Sequence, residues 1–163
     1  MLNNKINICK PSKEQGKKIY KLVQDTKVLD VNSEYLYLLQ TTHFSDICSV
    51  ATYEDKVIGF VSGYMIPNEP NTLFIWQVAV DSDFRGNDLA RRLIMDIIQR
   101  KELNVNFLHT TVSPSNNSSI RVFEKVASHY ETKMEKADFF EISDFTNQHE
   151  EEVLYKIGPF NKK

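Results

Sequence analysis

Apolar and polar positions along this chain repeat at two different periods, and the changes from one period to the other predict its elements. Ile6 and Ile8, with Pro11, begin a short strand of alternating pattern. Ser12 then suits a helix N-cap, with Gln15 three residues on in the capping-box place, and Ile19, Leu22 and Val23 recur at helical spacing. Asp30-Val31-Asn32-Ser33 breaks the pattern. A second helix carrying Tyr35, Leu36, Leu38 and Leu39 is expected to end near His43-Phe44. Residues 48–53 and 57–65 read as two strands joined by the polar turn Glu54-Asp55-Lys56. After a loop at 67–71, residues 73–80 form a dense run of β-formers. Leu89, Leu93, Ile94, Ile97 and Ile98 then mark one face of an amphipathic helix. Residues 105–112 predict a strand, and 116–126 a helix with Ile120, Val122, Phe123 and Val126 inward. Residues 137–151 are acidic and aromatic and match no template, and 153–157 close the chain as a strand.

This order (strand, two helices, three strands, helix, strand, helix, terminal strands) is that of a mixed α/β domain. No repeat, linker or low-complexity stretch interrupts it, so residues 1–163 are expected to form one domain. A chain of 163 residues is long enough to bury a sizeable core unaided. Its formal charge of -2 provides no basic field, so nucleic acid is not an expected partner. The N-terminus lacks the apolar core of a signal peptide and no run approaches membrane-spanning length, so a cytoplasmic location is expected, without a membrane partner. Cys9 and Cys48 are far apart and outside any CxxC spacing, and are expected to be buried free thiols. His43, His109, His129 and His149 never fall at a metal-ligand spacing, so no metal is expected.

The stretch from Gln77 to Ala90 carries the most chemistry. A strand runs into a short loop with Arg85-Gly86, and a helix opens at once. Unpaired N–H groups at such a helix start, aligned with the positive end of its dipole, suit a pyrophosphate. An Arg-Gly pair before a helix is weak evidence alone, because a ligand-free corner looks the same. The segment resembles, however, the signature of the GCN5-related N-acetyltransferase (GNAT) superfamily, Arg-Gly-x-Gly-x-Ala. Asn116 to Lys125 resembles that superfamily's second coenzyme A motif, at the usual order and separation. The resemblance implies a GNAT fold, an α/β (α+β) domain whose mixed, mostly antiparallel sheet of six to seven strands is flanked by about four helices. It implies acetyl-CoA as co-substrate, held by Val78, Ala79, Val80, Arg85, Gly86, Asn87, Asp88, Leu89, Ala90, Asn116, Ser119 and Phe123. Two positions depart from the pattern. Asp88 replaces the second glycine, and is expected to turn its carboxylate away from the phosphates. Phe123 stands where many relatives carry a tyrosine that protonates the leaving thiolate.

Four further blocks narrow the likeness: residues 28–39, 72–80, 111–116 and 149–159. Together they resemble the diaminobutyrate acetyltransferase family of ectoine biosynthesis. That resemblance implies transfer of acetyl to the γ-amine of a small diamino acid, a homodimer, and a product that serves as precursor of a compatible solute under osmotic stress. A substrate with two ammonium groups and one carboxylate needs acidic and polar partners. Asp30, Glu150 and Glu152 are available carboxylates, and Asn32, Tyr35, Gln77, Asn116 and His149 are neutral hydrogen-bonders. Each has a plainer reading beside it. Asp30 equally suits a turn, Trp76 a core position rather than a wall against an ammonium, and 149–152 a solvated charge run. As a strand start, 149–152 would put Glu150 and Glu152 on one face and His149 on the other.

Direct transfer is expected, because neither cysteine lies in a nucleophile motif and no Ser-His-Asp constellation is readable. Asp30, His149 and Glu152 are the candidates for removing the ammonium proton, Asp30 first among them. A backbone N–H within Gln77-Val78-Ala79 is the expected partner of the thioester oxygen. The same fold acting on a polyamine or a protein N-terminus, and a non-catalytic coenzyme A-binding module, are the alternatives.

Overall fold

A computed structural model describes residues 2–162. The strands are β1 (Asn7–Cys9), β2 (Cys48–Tyr53), β3 (Lys56–Met65), β4 (Thr72–Val80), β5 (Phe107–Val112), β6 (Met134–Phe140) and β7 (Glu152–Ile157). The helices are α1 (Gly16–Thr26), α2 (Glu34–Gln40), α3 (Leu89–Ile98) and α4 (Asn117–His129). The seven strands lie in one sheet in the order β1-β2-β3-β4-β5-β7-β6. Tertiary contacts group the chain into two compact units: everything up to Tyr64 with Ile75–Arg100, and Met65–Phe74 with everything from Lys101 onward.

In the first unit, β1 and β3 flank β2 in antiparallel register, with Ile8 opposite Ala51 and Val50 opposite Phe60. Glu54 and Asp55, both at positive φ (46° and 65°), make the two-residue turn between β2 and β3. Such a turn twists in the same sense as the strands it joins. α1 begins through a short 3-10 turn in which the Ser12 N–H donates to Gln15 Oε1 at 2.8 Å. Its apolar face, Ile19, Leu22 and Val23, packs into one cluster with Tyr37, Cys48, Val50, Val57, Phe60 and Ala79. α2 differs from expectation. It ends at Gln40, and its buried residues are Tyr37 and Gln40, while Tyr35 is 69% exposed. The run Tyr-Leu-Tyr-Leu-Leu offers two apolar faces, and the one that turns in carries Tyr37, whose ring packs against Tyr20 and Phe60.

α3 buries all five predicted residues, Leu89, Leu93, Ile94, Ile97 and Ile98, each contributing roughly 2 kcal/mol of apolar burial. Gly59 of β3 lets the helix come close: a Cβ there would stand 2.9 Å from Leu93 Cδ1. Arg100, just beyond α3, is almost fully buried. It donates to the carbonyls of Asp46 (2.8 Å) and Cys48 (2.7 Å) and pairs with Asp96 at 2.6 Å. Ser49 Oγ donates to the same Asp96 oxygen at 2.7 Å.

In the second unit, β7 pairs antiparallel with β5 on one side and β6 on the other. β6 takes the first part of the stretch that matched no template. Six of its seven residues are exposed, so neither face shows alternation. α4 starts on Asn116, whose Oδ1 accepts the Ser119 N–H at 3.2 Å, and it buries Phe123, Val126 and Ala127. Ile120 and Val122 are only half-buried.

Arg100→Ala should lower the unfolding free energy by about 2 kcal/mol, because it takes the donor from the part-buried Cys48 carbonyl and the cation from Asp96. Urea unfolding measures this, and a change below about 1 kcal/mol would remove Arg100 from the supports of the first unit.

Candidate active site

The loop between β4 and α3 is assembled from local interactions. Asp81 opens it and accepts the Asp83 N–H at 2.9 Å, while Lys56 pairs with its other oxygen at 2.9 Å. Partial burial pushes the Asp81 carboxyl upward, but Lys56 and the Asp83 N–H outweigh it, so the group sits below its ordinary value. Asn87 Nδ2 donates to the Phe84 carbonyl at 2.9 Å and closes the loop over Arg85 and Gly86. Gly86 has φ +85° and nothing within 4 Å of the place a Cβ would take. The loop thus presents open space directly before the start of a helix, where N–H groups lack intrahelical acceptors.

Asp88 is the N-cap of α3 at φ 59°, a left-handed backbone that aspartate tolerates. Its carboxylate makes no cap bond; Arg91 Nε donates to it at 2.6 Å one helical turn on. The expected conflict between this carboxylate and a phosphate is therefore offset by a cation at contact distance. Arg85 is exposed at the loop, and Leu89 is buried beneath it. The exposed Arg85, the open space at Gly86 and the helix start are of a kind that suits a pyrophosphate.

On β4, alternation separates the predicted residues. Gln77 and Ala79 are buried, whereas Trp76 is 48% exposed and Val78 and Val80 are half-buried. Trp76 and Gln77 therefore face opposite sides of the sheet, and Trp76 is not a core residue. Gln77 corrects the sequence reading more deeply. It is 5% exposed, its Oε1 accepts the Tyr37 hydroxyl at 3.0 Å, and its Nε2 donates to the Asp30 carbonyl at 2.7 Å. Its amide is engaged within the protein, not offered to a ligand. The Gln77 N–H also donates to Ser62 Oγ at 3.1 Å, so it is the one of the three expected amides seen to be engaged by a side chain.

The loop before α2 is thus gathered at Gln77. The side chain of Asp30 is exposed, Asn32 is half-buried with its N–H donating to Tyr37 Oη at 3.4 Å, and Tyr35 is exposed. Tyr37 and Ser62 were missed in the sequence. Tyr37 reads there as one more aromatic in a helix, and Ser62 as one small residue in an apolar strand.

The second unit holds the remaining candidates. Phe123 is buried and has no proton to give. Asn116 uses Oδ1 to cap α4 and also accepts from Ser118 Oγ at 3.1 Å; Ser119 is half-buried. His149 stacks on Phe145 at 4.1 Å, and its Nδ1 contacts the Glu150 carbonyl. A carbonyl can only accept, so Nδ1 carries the proton and a neutral ring would present Nε2 as a base. Glu150 does not share a strand face with Glu152, because β7 starts only at Glu152. Glu150 instead accepts from Ser115 Oγ at 2.8 Å, while Glu152 is half-buried. A separate hollow of about 490 Å³ in this unit is lined by Glu69, His109, Lys133 and Glu135 among others, and by none of the predicted residues.

Cys48 is fully buried, and burial pushes its thiol up to about 12, so it stays protonated and inert. Cys9, expected to be buried, is exposed, because β1 shows that side to solvent. No group of His, Cys, Asp and Glu among the described residues could hold a metal ion.

With this geometry in view, the likeness to known proteins is specific. Residues 16–127 match the model of the acetyltransferase (GNAT) family, and the chain belongs to that family. Within it, the chain is 43% identical to the L-2,4-diaminobutyric acid acetyltransferase of Halomonas elongata over 155 residues, 94% of this chain and 81% of that one. It is 39% identical to the enzyme of the same name from Virgibacillus pantothenticus, over 93% of this chain and 97% of that one. Among solved structures, diaminobutyrate acetyltransferase EctA from Paenibacillus lautus, in complex with its substrate L-2,4-diaminobutyric acid and coenzyme A, superposes with a TM-score of 0.90 at 35% identity. The match covers 97% of each chain. The Escherichia coli ribosomal-protein-S18-alanine N-acetyltransferase shares the fold, with a TM-score of 0.68 at 18% identity.

A thiol reagent should label Cys9 rapidly in the native protein and reach Cys48 only after unfolding. Two equivalents released at once under native conditions would contradict the burial of Cys48.

Proposed function

We propose that this protein transfers acetyl from acetyl-CoA to the γ-amine of L-2,4-diaminobutyrate by direct attack, and that the whole chain acts as one acetyltransferase domain. The observation that carries this reading is the close superposition, along 97% of the chain, on an acetyltransferase solved with diaminobutyric acid and coenzyme A. The open, donor-rich start of α3 supports the coenzyme A half of it independently.

The amine reaches the enzyme as an ammonium with a pKa of roughly 10.4 and must lose a proton before it can attack. Asp30, exposed on its loop, is the preferred acceptor. His149, with Nε2 as its basic nitrogen, and Glu152 are the other members of the proton path. A carboxylate beside the ammonium also stabilises its charged form, so closure and desolvation must offset that effect. A Val78 or Ala79 N–H is the donor to the thioester oxygen as it gains charge. The inert Cys48 leaves no call for an acyl-enzyme at that position. Because Phe123 carries no hydroxyl, coenzyme A leaves as the thiolate or takes its proton from water.

Basicity cannot select the γ-nitrogen, since the α-amine is deprotonated more easily. Selection comes from holding the α-amino and α-carboxylate groups so that the γ-nitrogen meets the acetyl carbon. Asn32, Tyr35, Trp76, Asn116 and Glu150 are the proposed groups for this task; Gln77 is removed from the contact set by its internal bonds.

A cytoplasmic homodimer serving synthesis of a compatible solute under osmotic stress completes the reading. No helix among the described residues is long and apolar enough to cross a membrane. Val28, Val31, Tyr35 and Leu38 form an exposed apolar stretch suited to a second copy. Light scattering should return twice the mass of one chain, and a monomeric mass at micromolar concentration would refute the dimer.

Purified protein with acetyl-CoA and L-2,4-diaminobutyrate should release coenzyme A and yield the γ-acetylated product by NMR, well above the rates with ornithine, spermidine or a peptide. Asp30→Asn should lower turnover about 10²-fold while the KM for acetyl-CoA stays within about twofold. Coenzyme A binding with no turnover on any amine would instead point to a non-catalytic module.

A further inference from the structure

We infer that Tyr37 and Gln77 are positioning residues that set the affinity for the amine acceptor by holding the Asp30–Asn32 main chain, without touching the acceptor themselves. The inference rests on the function proposed above and adds to it the cause of acceptor selectivity.

The hydrogen-bond circuit admits one direction only. The Asp30 carbonyl can only accept, so the Gln77 amide must turn Nε2 toward it, at 2.7 Å. That orientation points Oε1 at Tyr37, so the hydroxyl must donate to it, at 3.0 Å. Its remaining lone pair faces the Asn32 N–H at 3.4 Å. Two main-chain groups of the loop, one on each side of Val31, are thereby tied to a single strand residue. The anchor is rigid. Tyr37 is fully buried between the rings of Tyr20 and Phe60, and the Gln77 N–H is itself held by Ser62 Oγ.

The Asp30 side chain projects from this clamped main chain into solvent while its own carbonyl is fixed behind it. A flexible loop of Asp, Val and Asn would place that carboxylate over a range of positions. The clamp narrows the range before any substrate arrives, lowering the ordering cost of binding. A buried glutamine is otherwise an odd choice in the run Leu-Phe-Ile-Trp-Gln-Val-Ala-Val, where an apolar residue would pack without polar demands.

Tyr37→Phe removes the hydroxyl and little else. The KM for diaminobutyrate should rise about tenfold, with the KM for acetyl-CoA changed less than about twofold. Gln77→Glu offers a signature that packing alone would not produce. Its protonated carboxyl can donate to the Asp30 carbonyl and accept from Tyr37, whereas its carboxylate cannot donate. Its acceptor KM, relative to wild type at each pH, should therefore improve as pH falls, and Gln77→Met should show no such recovery. Hydrogen exchange across residues 28–34 should quicken in Tyr37→Phe and Gln77→Met. An unchanged acceptor KM in Tyr37→Phe, or equal losses for both substrates, would overturn the inference. If wild type acetylates no diamine, the functional reading fails, and unchanged exchange across 28–34 would then overturn the clamp separately.

Discussion

The seating of α3 on the strands of the first unit governs the chemistry at its N-terminus. Five apolar side chains from ten residues are buried in that contact, and Gly59 removes the one Cβ that would hold Leu93 off the sheet. A helix seated on so much buried apolar surface has its first turn aimed by the strands beneath it. The loop from Asp81 to Asp88 then has to bridge a set gap, and it does so with polar bonds among neighbours instead of buried area. Rigidity flows from the core outward, and the groups meant to meet a phosphate inherit it.

Charge near the loop is balanced with the same economy of parts. Asp81 faces Lys56, and Asp88 faces Arg91, so two carboxylates close to an expected anion site are each accompanied by a cation. Local pairing of this kind lessens the negative charge that would oppose the N–H groups and the helix dipole, with Asp83 the loop's remaining exposed carboxylate. It also accounts for an aspartate where the family pattern has glycine: its backbone takes the left-handed conformation, and its side chain is turned toward Arg91.

Legibility in the sequence followed the physics of each element. α3 was readable because its buried positions fall at helical steps with polar residues between them. The β2–β3 hairpin was readable because the polar run Glu54-Asp55-Lys56 separates two apolar runs, although Lys56 itself belongs to β3. β6 was not, since a strand exposed on nearly every residue has no period to detect. The motif for coenzyme A lies within one continuous segment, so local pattern sufficed to find it. Gln77 could be named as a site residue but not understood, because its two partners lie 40 and 47 positions away. Glu150 and Glu152 were misjudged as a pair because the start of β7 depends on tertiary pairing and not on the local run of acids.

The Asp88–Arg91 pair is half-buried, with side chains 35% and 29% exposed, so salt, which shortens the Debye length from about 8 Å at physiological ionic strength to about 3 Å at 1 M, screens it less than it would a fully exposed pair. The carboxylate that replaces the family's glycine thus keeps its counter-ion where an open surface pair would lose it.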